Sequence, residues 1–461
     1  MSSNTQAAPA QPKSILRGHR SPVHITTFIR ENQRLVSGDA DGFVVIWDLT
    51  IMRPRAVWRA HTGAILGISG WGRDKLITQG KDTRLVVWKI TESDEAALST
   101  ALPLDESAPE RPQPWILHIL EINTMNFCSF AHCPQTSDAE LADCDELLVA
   151  VPNTLAAEAV DIFHLPSQER RATVSLGSKA ENKGMVMALS LFWLHHSLYL
   201  IAGYENGLAV VARRGDGWTW DVLYRNQAHT QPILSLDIVP HKEYFLTSGA
   251  DAIIAKHPIP NTKPTIPPTS FKGPDTPKTQ SSENKAGKPN PSLLSAALAA
   301  ERTANPGTRP HIVPKAEIMV ETSPLKTLNT KHSGQQGLTI RSDGRIFATA
   351  GWDSKIRVYS AKTMAELAVL KWHEMGCYAV AFAALADNQK DASTESQENA
   401  AQAQGTPAGD SNAVRGKETS LTAVSRLGGL SVKDRRIQMA QSAHWLAAGS
   451  KDGKISLWDI Y

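Results

Sequence analysis

Apolar residues in this chain come in short runs broken by polar turns. Between residues 18 and 48 the runs are 23–28, 34–37 and 43–47, and a further run, 54–58, follows. Each has the length of a β-strand, and the turn Asp39-Ala40-Asp41-Gly42 has the composition of a hairpin connection. The pattern predicts one four-stranded antiparallel sheet, and it recurs. The first copy opens on Gly18-His19 and ends its third strand on Trp47-Asp48. Ala60-His61 leads to LITQGKDTRLVVW, Ala228-His229 to FLTSGADAIIAKH, and Lys331-His332 to FATAGWDSKIRVY. The chain closes on LAAGSKDGKISLWDIY.

The copies share a grid. An Asp stands six positions before the end of the third strand in all five: Asp41 and Trp47, Asp82 and Trp88, Asp251 and His257, Asp353 and Tyr359, Asp452 and Trp458. Four positions before that Asp sits a small residue: Ser37, Thr78, Thr247, Thr349 or Ala448. A Gly-His or X-His opening, this grid and a Trp-Asp close resemble the WD40 repeat, one blade of a β-propeller. In that family the His, Ser or Thr, Asp and Trp form a hydrogen-bonded relay across a blade. The resemblance implies complete relays for His19, Ser37, Asp41 and Trp47 and for His61, Thr78, Asp82 and Trp88. It implies partial ones for His229, Thr247 and Asp251, for His332, Thr349 and Asp353, and for His373, Asp452 and Trp458. A His-Ser-Asp set also invites a catalytic-triad reading. The set repeats, its Asp lies in a tight turn, and no strand-turn-helix nucleophile elbow accompanies it, so the relay is taken as structural.

Seven blades account for the pattern, an all-β fold. Blade 3 is degenerate, with strands expected at 126–130, 147–151 and 159–165. Blade 4 is expected at 185–192, 198–203 and 208–212, with Asn206 at the Asp position. Residues 115–120 complete blade 2, and blade 7 runs from Trp372-His373 to Trp458. Only three residues follow Trp458, so blade 7 lacks an outer strand, whereas 13–17 forms a spare one. Pairing the two closes the ring and removes open sheet edges. One propeller over 13–461 results, after a disordered 1–12. Insertions stand at 92–114, 134–145, 258–323 and 384–440, and 292–304 within the third reads as an amphipathic helix. All four fall between first and second or between third and fourth strands. In antiparallel blades those loops emerge on one face and leave the other trim.

Composition narrows the function. A net charge of +2 argues against a nucleic-acid-wrapping surface. The four cysteines, Cys128, Cys133, Cys144 and Cys377, form no CxxC pair and read as reduced, unligated thiols, His132 beside Cys133 being a weak metal hint. No signal peptide, membrane span or myristoylation site is expected. No Gly-rich phosphate loop or HExxH occurs, so no cofactor, no metal and no catalytic activity are expected. On the trim face the residue before each relay Asp stands at the rim of the central opening. The candidate partner-binding residues there are Lys81, Trp352 and Lys451, with Glu205 before Asn206. Trp352 stands out as an aromatic on a polar turn.

The opening ILRGHRSPVHITTF, the regular early blades LVSGDADGFVVIWDL and LITQGKDTRLVVWKI, the weak middle and the ending AAGSKDGKISLWDIY resemble the ASTRA-associated protein 1 family of fungal WD-repeat proteins. The resemblance implies a non-catalytic scaffold subunit of the nuclear ASTRA complex. Such a subunit serves chromatin remodelling and the maturation of phosphatidylinositol-3-kinase-like kinases, with kinase-maturation and AAA-ATPase chaperone proteins as partners. Two alternatives differ in sequence signature. Cullin ubiquitin ligase substrate receptors often carry Arg two residues after Trp-Asp, where this chain has Thr50 and Tyr461. G-protein β-like scaffolds carry a long N-terminal helix, and only about a dozen residues precede the first strand here.

Overall fold

The computed structural model describes residues 10–104, 110–123, 125, 127–177, 182–261, 319–385 and 431–460. Contacts divide the chain into Met1–Pro260 with Val320–Tyr461, which builds the propeller, and Asn261–Met319, described only at its ends. The expected disordered 1–12 and the helix expected at 292–304 fall largely or wholly outside the described residues. Seven four-stranded antiparallel sheets are present. Blade 1 is Val23–Ile29, Arg34–Asp39, Phe43–Asp48 and Arg53–Arg59, and blade 2 is Ile65–Trp71, Lys75–Gly80, Arg84–Lys89 and Trp115–Glu121.

Burial explains the strand composition. The second strand of blade 1, Arg34–Asp39, is buried at every position, as are Leu147–Pro152 and Ile346–Gly351. These strands have a neighbouring blade on each face, so alternation gives way to continuous apolar runs. The outermost strands lie at the rim and are less buried: Arg53–Arg59 is exposed at both ends and buried only at Ala56, Val57 and Trp58. Between blades the core is closed by large rings: Trp58 meets Trp88 edge-on with centroids 5.9 Å apart, and both are fully buried. In six blades the first strand carries a register shift near its start, at 23/25, 65/67, 186/188, 233/235, 335/337 and 377/379. Each is a one-residue bulge at the trim end of an inner strand.

The ring closes through the two ends of the chain. Ser14–Arg17 pairs antiparallel with Lys454–Asp459, from Ser14 opposite Leu457 to Arg17 opposite Lys454. Lys13 N–H adds a 2.8 Å bond to the Leu457 carbonyl, and Leu16 is buried in the core.

Blade 3 departs from expectation. Its first strand is Ala131–Pro134, not 126–130. The reason is Gln79 of blade 2, whose amide donates to the Cys128 carbonyl at 3.0 Å and accepts Phe130 N–H at 2.7 Å. That backbone is spent on the neighbouring blade and cannot pair within its own.

The insertion roots are built in. In 92–114, Glu95 is fully buried on a short 3-10 turn, Asp94–Ala97, where its carboxylate meets Arg30, Arg34 and Arg55 of blade 1. Leu104 N–H reaches back to the Gly18 carbonyl at 3.0 Å. The last part of 384–440 is a helix, Val432–Ser442, capped by Ser431 and Asp434. Buried Asn32 clamps both roots of that insertion. Its amide donates to the carbonyls of Ala384 (2.6 Å) and Gln441 (3.3 Å) and accepts Ala384 N–H at 3.0 Å. Arg30, Glu31 and Asn32 all have positive φ, so one left-handed turn of blade 1 carries both anchors.

Candidate functional site

The relays decide whether the His-Ser-Asp sets are chemically free. In blade 2 His61 Nδ1 lies 2.9 Å from Asp82, Nε2 lies 2.8 Å from Thr78 Oγ1, and Trp88 Nε1–H donates to that hydroxyl at 2.8 Å. In blade 5, built from Ile233–Ile238, Tyr244–Gly249, Ile253–Pro258 and Lys326–Asn329, His229 meets Asp251 at 2.9 Å and Thr247 at 2.8 Å. There His257 takes the Trp position, bonding Thr247 at 2.9 Å and the Tyr224 hydroxyl at 2.8 Å. Burial works to raise the Asp82 and Asp251 carboxyls, but hydrogen bonds from the His and from backbone N–H groups outweigh it and hold both below the usual range.

Blade 1 corrects the sequence reading. His19 Nδ1 bonds Asp39, at 2.6 Å, not Asp41. Its Nε2 lies 2.7 Å from Ser37 Oγ, which accepts Trp47 Nε1–H at 2.8 Å. Asp41 instead accepts the Ser21 hydroxyl. The position of Asp39, two before the turn Asp, is Gly80, Gly249 and Gly351 in three other copies and Ser450 in the last. A Cβ on Gly80 would stand 2.3 Å from the His61 ring. Asp39 occupies that place beside the imidazole and intercepts it, an outlier in the grid that was readable in the sequence.

Blade 6, built from Gln335–Ile340, Ile346–Gly351, Ile356–Ser360 and Glu366–Leu370, and blade 7 also depart. His332 is exposed and 3.7 Å from Asp353, so it makes no relay. Thr349 donates to Gln335 at 2.7 Å, and Asp353 is held by Arg357 at 2.6 and 3.1 Å. In blade 7 the hydroxyl comes from Ser456 on the third strand, because Ala448 has none. Ser456 Oγ is 2.8 Å from His373 Nε2 and accepts Trp458 Nε1–H at 2.8 Å. Asp452 is drawn to Lys454 at 2.6 Å and stays 4.0 Å from His373, whose Nδ1 is buried with no hydrogen-bond partner. Burial pushes the His373 imidazole down to about 4.

The four trim-face candidates are not one cluster. Lys81 Nζ sits 4.2 Å from the centre of the Phe127 ring. The Glu205 carboxylate accepts Met185 N–H at 3.1 Å. Trp352 and Lys451 belong together, because the turns that carry them meet at Gly376. Its carbonyl accepts Lys451 N–H at 2.9 Å, and a Cβ on it would lie 3.0 Å from the Trp352 carbonyl. Trp352 lays its ring on Gly334, where a Cβ would stand 2.1 Å from the indole, and donates Nε1–H to Gln336, the bulged residue of its blade, at 2.7 Å. It still exposes 47% of its surface, and Met375 beside Gly376 exposes 44%. The patch was half legible: the aromatic was visible in the sequence, but Gln336 and Met375 were not.

All four cysteines are unbridged and buried. Burial pushes the Cys133 and Cys377 thiols up to about 12, so neither is a ready nucleophile. His132 turns to Ser69 Oγ at 3.1 Å, while Cys133 packs into the core between blades 3 and 4. Among the described residues no group of three or more His, Cys, Asp or Glu is placed to hold a metal ion, and no helix is long and apolar enough to cross a membrane.

Against known proteins, the sequence model of the family described as ASTRA-associated protein 1 matches residues 12–458. Curated relatives of that name include one from Pyricularia oryzae, 50% identical over 99% of this chain and 98% of the relative. One from Verticillium alfalfae is 48% identical over 100% of this chain and 95% of the relative. One from Schizosaccharomyces pombe is 30% identical over 80% and 93%. Among solved structures, the β-propeller domain of Cps50 (Swd1) from Myceliophteria thermophila superposes with a TM-score of 0.55 at 12% identity, covering 97% of this chain and 99% of that one. That likeness speaks to the fold alone.

Proposed function

This chain belongs to the ASTRA-associated protein 1 family, and we propose that it is a non-catalytic scaffold subunit of an ASTRA-type multiprotein complex. The full-length family match, 12–458, carries the reading. The geometry supports it from the other side. The His-Ser-Asp sets that could have been catalytic are consumed in hydrogen bonds within their own blades, with Ser37, Thr78 and Thr247 fully buried. What remains open to solvent is a surface for proteins to touch.

The finer reading is nuclear residence and participation in chromatin remodelling and in the maturation of phosphatidylinositol-3-kinase-like kinases. Its partners are kinase-maturation proteins and AAA-ATPase chaperones. Affinity purification with mass spectrometry from the native host tests this. Recovery of those subunits is the expected result, and recovery of a cullin adaptor in their place overturns it. Trp352 and Lys451 are the proposed contact point on the trim face. Trp352→Ala with Lys451→Glu is expected to weaken partner capture while melting stays close to wild type. Full recovery of every partner by that variant would move the contact to the insertion face.

A further inference from the structure

The helix Val432–Ser442 has no adequate role in the fold. Of its 11 residues only Ala440 is buried, at 2% exposure. A helix that stabilises a core presents an apolar stripe to it, and this one presents the Ala440 methyl with a half-buried Ile437 one turn before it. Yet the helix is carefully held. Ser431 and Asp434 form a reciprocal capping box at its start. At its end Trp445 Nε1–H donates to the Ala440 carbonyl at 3.2 Å, and Asn32 clasps the Gln441 carbonyl. A helix this short is marginal when left to itself in water, so the cap and the clasp keep it formed.

The outward side is not an ordinary solvated face. Val432, Arg436 and Met439 stand at i, i+4 and i+7, one above the other. Val432 is 66% exposed and Met439 67%. Lys433 adds a second exposed cation, whereas the helix's own acid, Asp434, is spent on the cap. Two apolar anchors flanking an arginine, on a helix held to the propeller at its last turn, fit the helix-in-groove mode of recognition.

We propose that this helix is a preformed docking element. It seats its Val432–Arg436–Met439 face in an apolar groove with an acidic rim on another subunit of the complex. The inference rests on the reading of the chain as a complex subunit, and it assigns to the insertion face a contact separate from Trp352.

A photo-crosslinking amino acid in place of Met439, in the full chain expressed in the native host, tests it. The expected crosslink maps to a segment of a different protein that combines acidic and apolar residues. V432E with M439E is expected to lower the yield of that protein at least tenfold, R436E to lower it less, and both to leave the melting midpoint unchanged. Crosslinks confined to this chain, or formed to nucleic acid or lipid, overturn the proposal. So does an unchanged yield, and so does early melting of V432E with M439E, which would make the helix structural. If the wild-type chain recovers no ASTRA-type subunit but Met439 still crosslinks to such a segment elsewhere, the complex assignment falls and the docking helix stands.

Discussion

Replacing Asp39 separates the observed relay from the one the repeat grid implies. The Asp39 carboxylate is fully buried and accepts three hydrogen bonds: from His19 Nδ1 at 2.6 Å, Asp41 N–H at 3.0 Å and Phe43 N–H at 2.9 Å. Asp39→Ala leaves all three donors without a partner and with little access to water. At about 1 kcal/mol net for each bond, and more where the acceptor is charged, the loss is roughly 3–5 kcal/mol. Asp41→Ala removes one bond, from Ser21, at a half-buried carboxylate. That costs about 1 kcal/mol or less. Both variants delete one negative charge, so the difference between them is not a net-charge effect. Equilibrium unfolding in urea, followed by Trp fluorescence, reads the two free energies. Asp39→Ala is expected to be the less stable by at least about 2 kcal/mol, with Asp39→Asn between them. Equal loss, or greater loss from Asp41→Ala, would refute the assignment.

Two further changes probe how the propeller is closed and how its insertions are tethered. Removing residues 1–17 strips the outer strand of blade 7 and takes Leu16 from the core; a clear fall in melting midpoint is expected, and an unchanged one refutes closure through the termini. Glu95→Ala leaves Arg30, Arg34 and Arg55 facing one another, a broken buried ion cluster that costs roughly 3–5 kcal/mol. Limited proteolysis should then cut within 92–104 markedly faster, and an unchanged rate would show that Glu95 is not the anchor.

What was legible in the sequence follows from what repeats. The grid marks turns and strands because each blade solves the same burial problem, so His61, Thr78, Asp82 and Trp88 appear in space as they do in register. The spare strand at the start of the chain was legible for the same reason, as a missing piece at the other end. What did not repeat was harder to see. Asp39 breaks the grid by one side chain, and a pattern reading follows the majority. Gln335 and Ser456 supply relay groups from positions the grid does not use. Glu95 and Asn32 act over separations of 61 and 352 residues, to Arg34 and Ala384, and no local periodicity records such partners. The helix Val432–Ser442 lies at the end of a polar insertion, and its capping box was the one local signal for it.

Acid sensitivity draws on groups from two blades. Burial pushes His373 down to about 4, and burial followed by the neighbouring His229 charge pushes His257 down to about 3. In the unfolded chain both titrate near the ordinary 6.5. Their folded values are depressed, so the unfolded state binds more protons over the interval between. Stability is present above pH 6.5 and is lost as pH falls toward the folded values. By pH 5 each histidine removes about 2 kcal/mol. Asp237 works the other way. It lies on the first strand of blade 5 and accepts Ile340 N–H of blade 6 at 2.7 Å, and burial raises its carboxyl to about 6. A raised acid contributes stability below its unfolded value near 3.8 and loses it as pH rises through 6, so on acidification it returns about 1 kcal/mol by pH 5. The net loss between pH 7 and pH 5 is then roughly 2–3 kcal/mol. Urea midpoints across that range measure it. His373→Gln should flatten the dependence, and Asp237→Asn, which cannot take up the proton, should steepen it. A profile that is flat in the wild type, or that Asp237→Asn leaves unaltered, would show that these groups do not govern the response to acid.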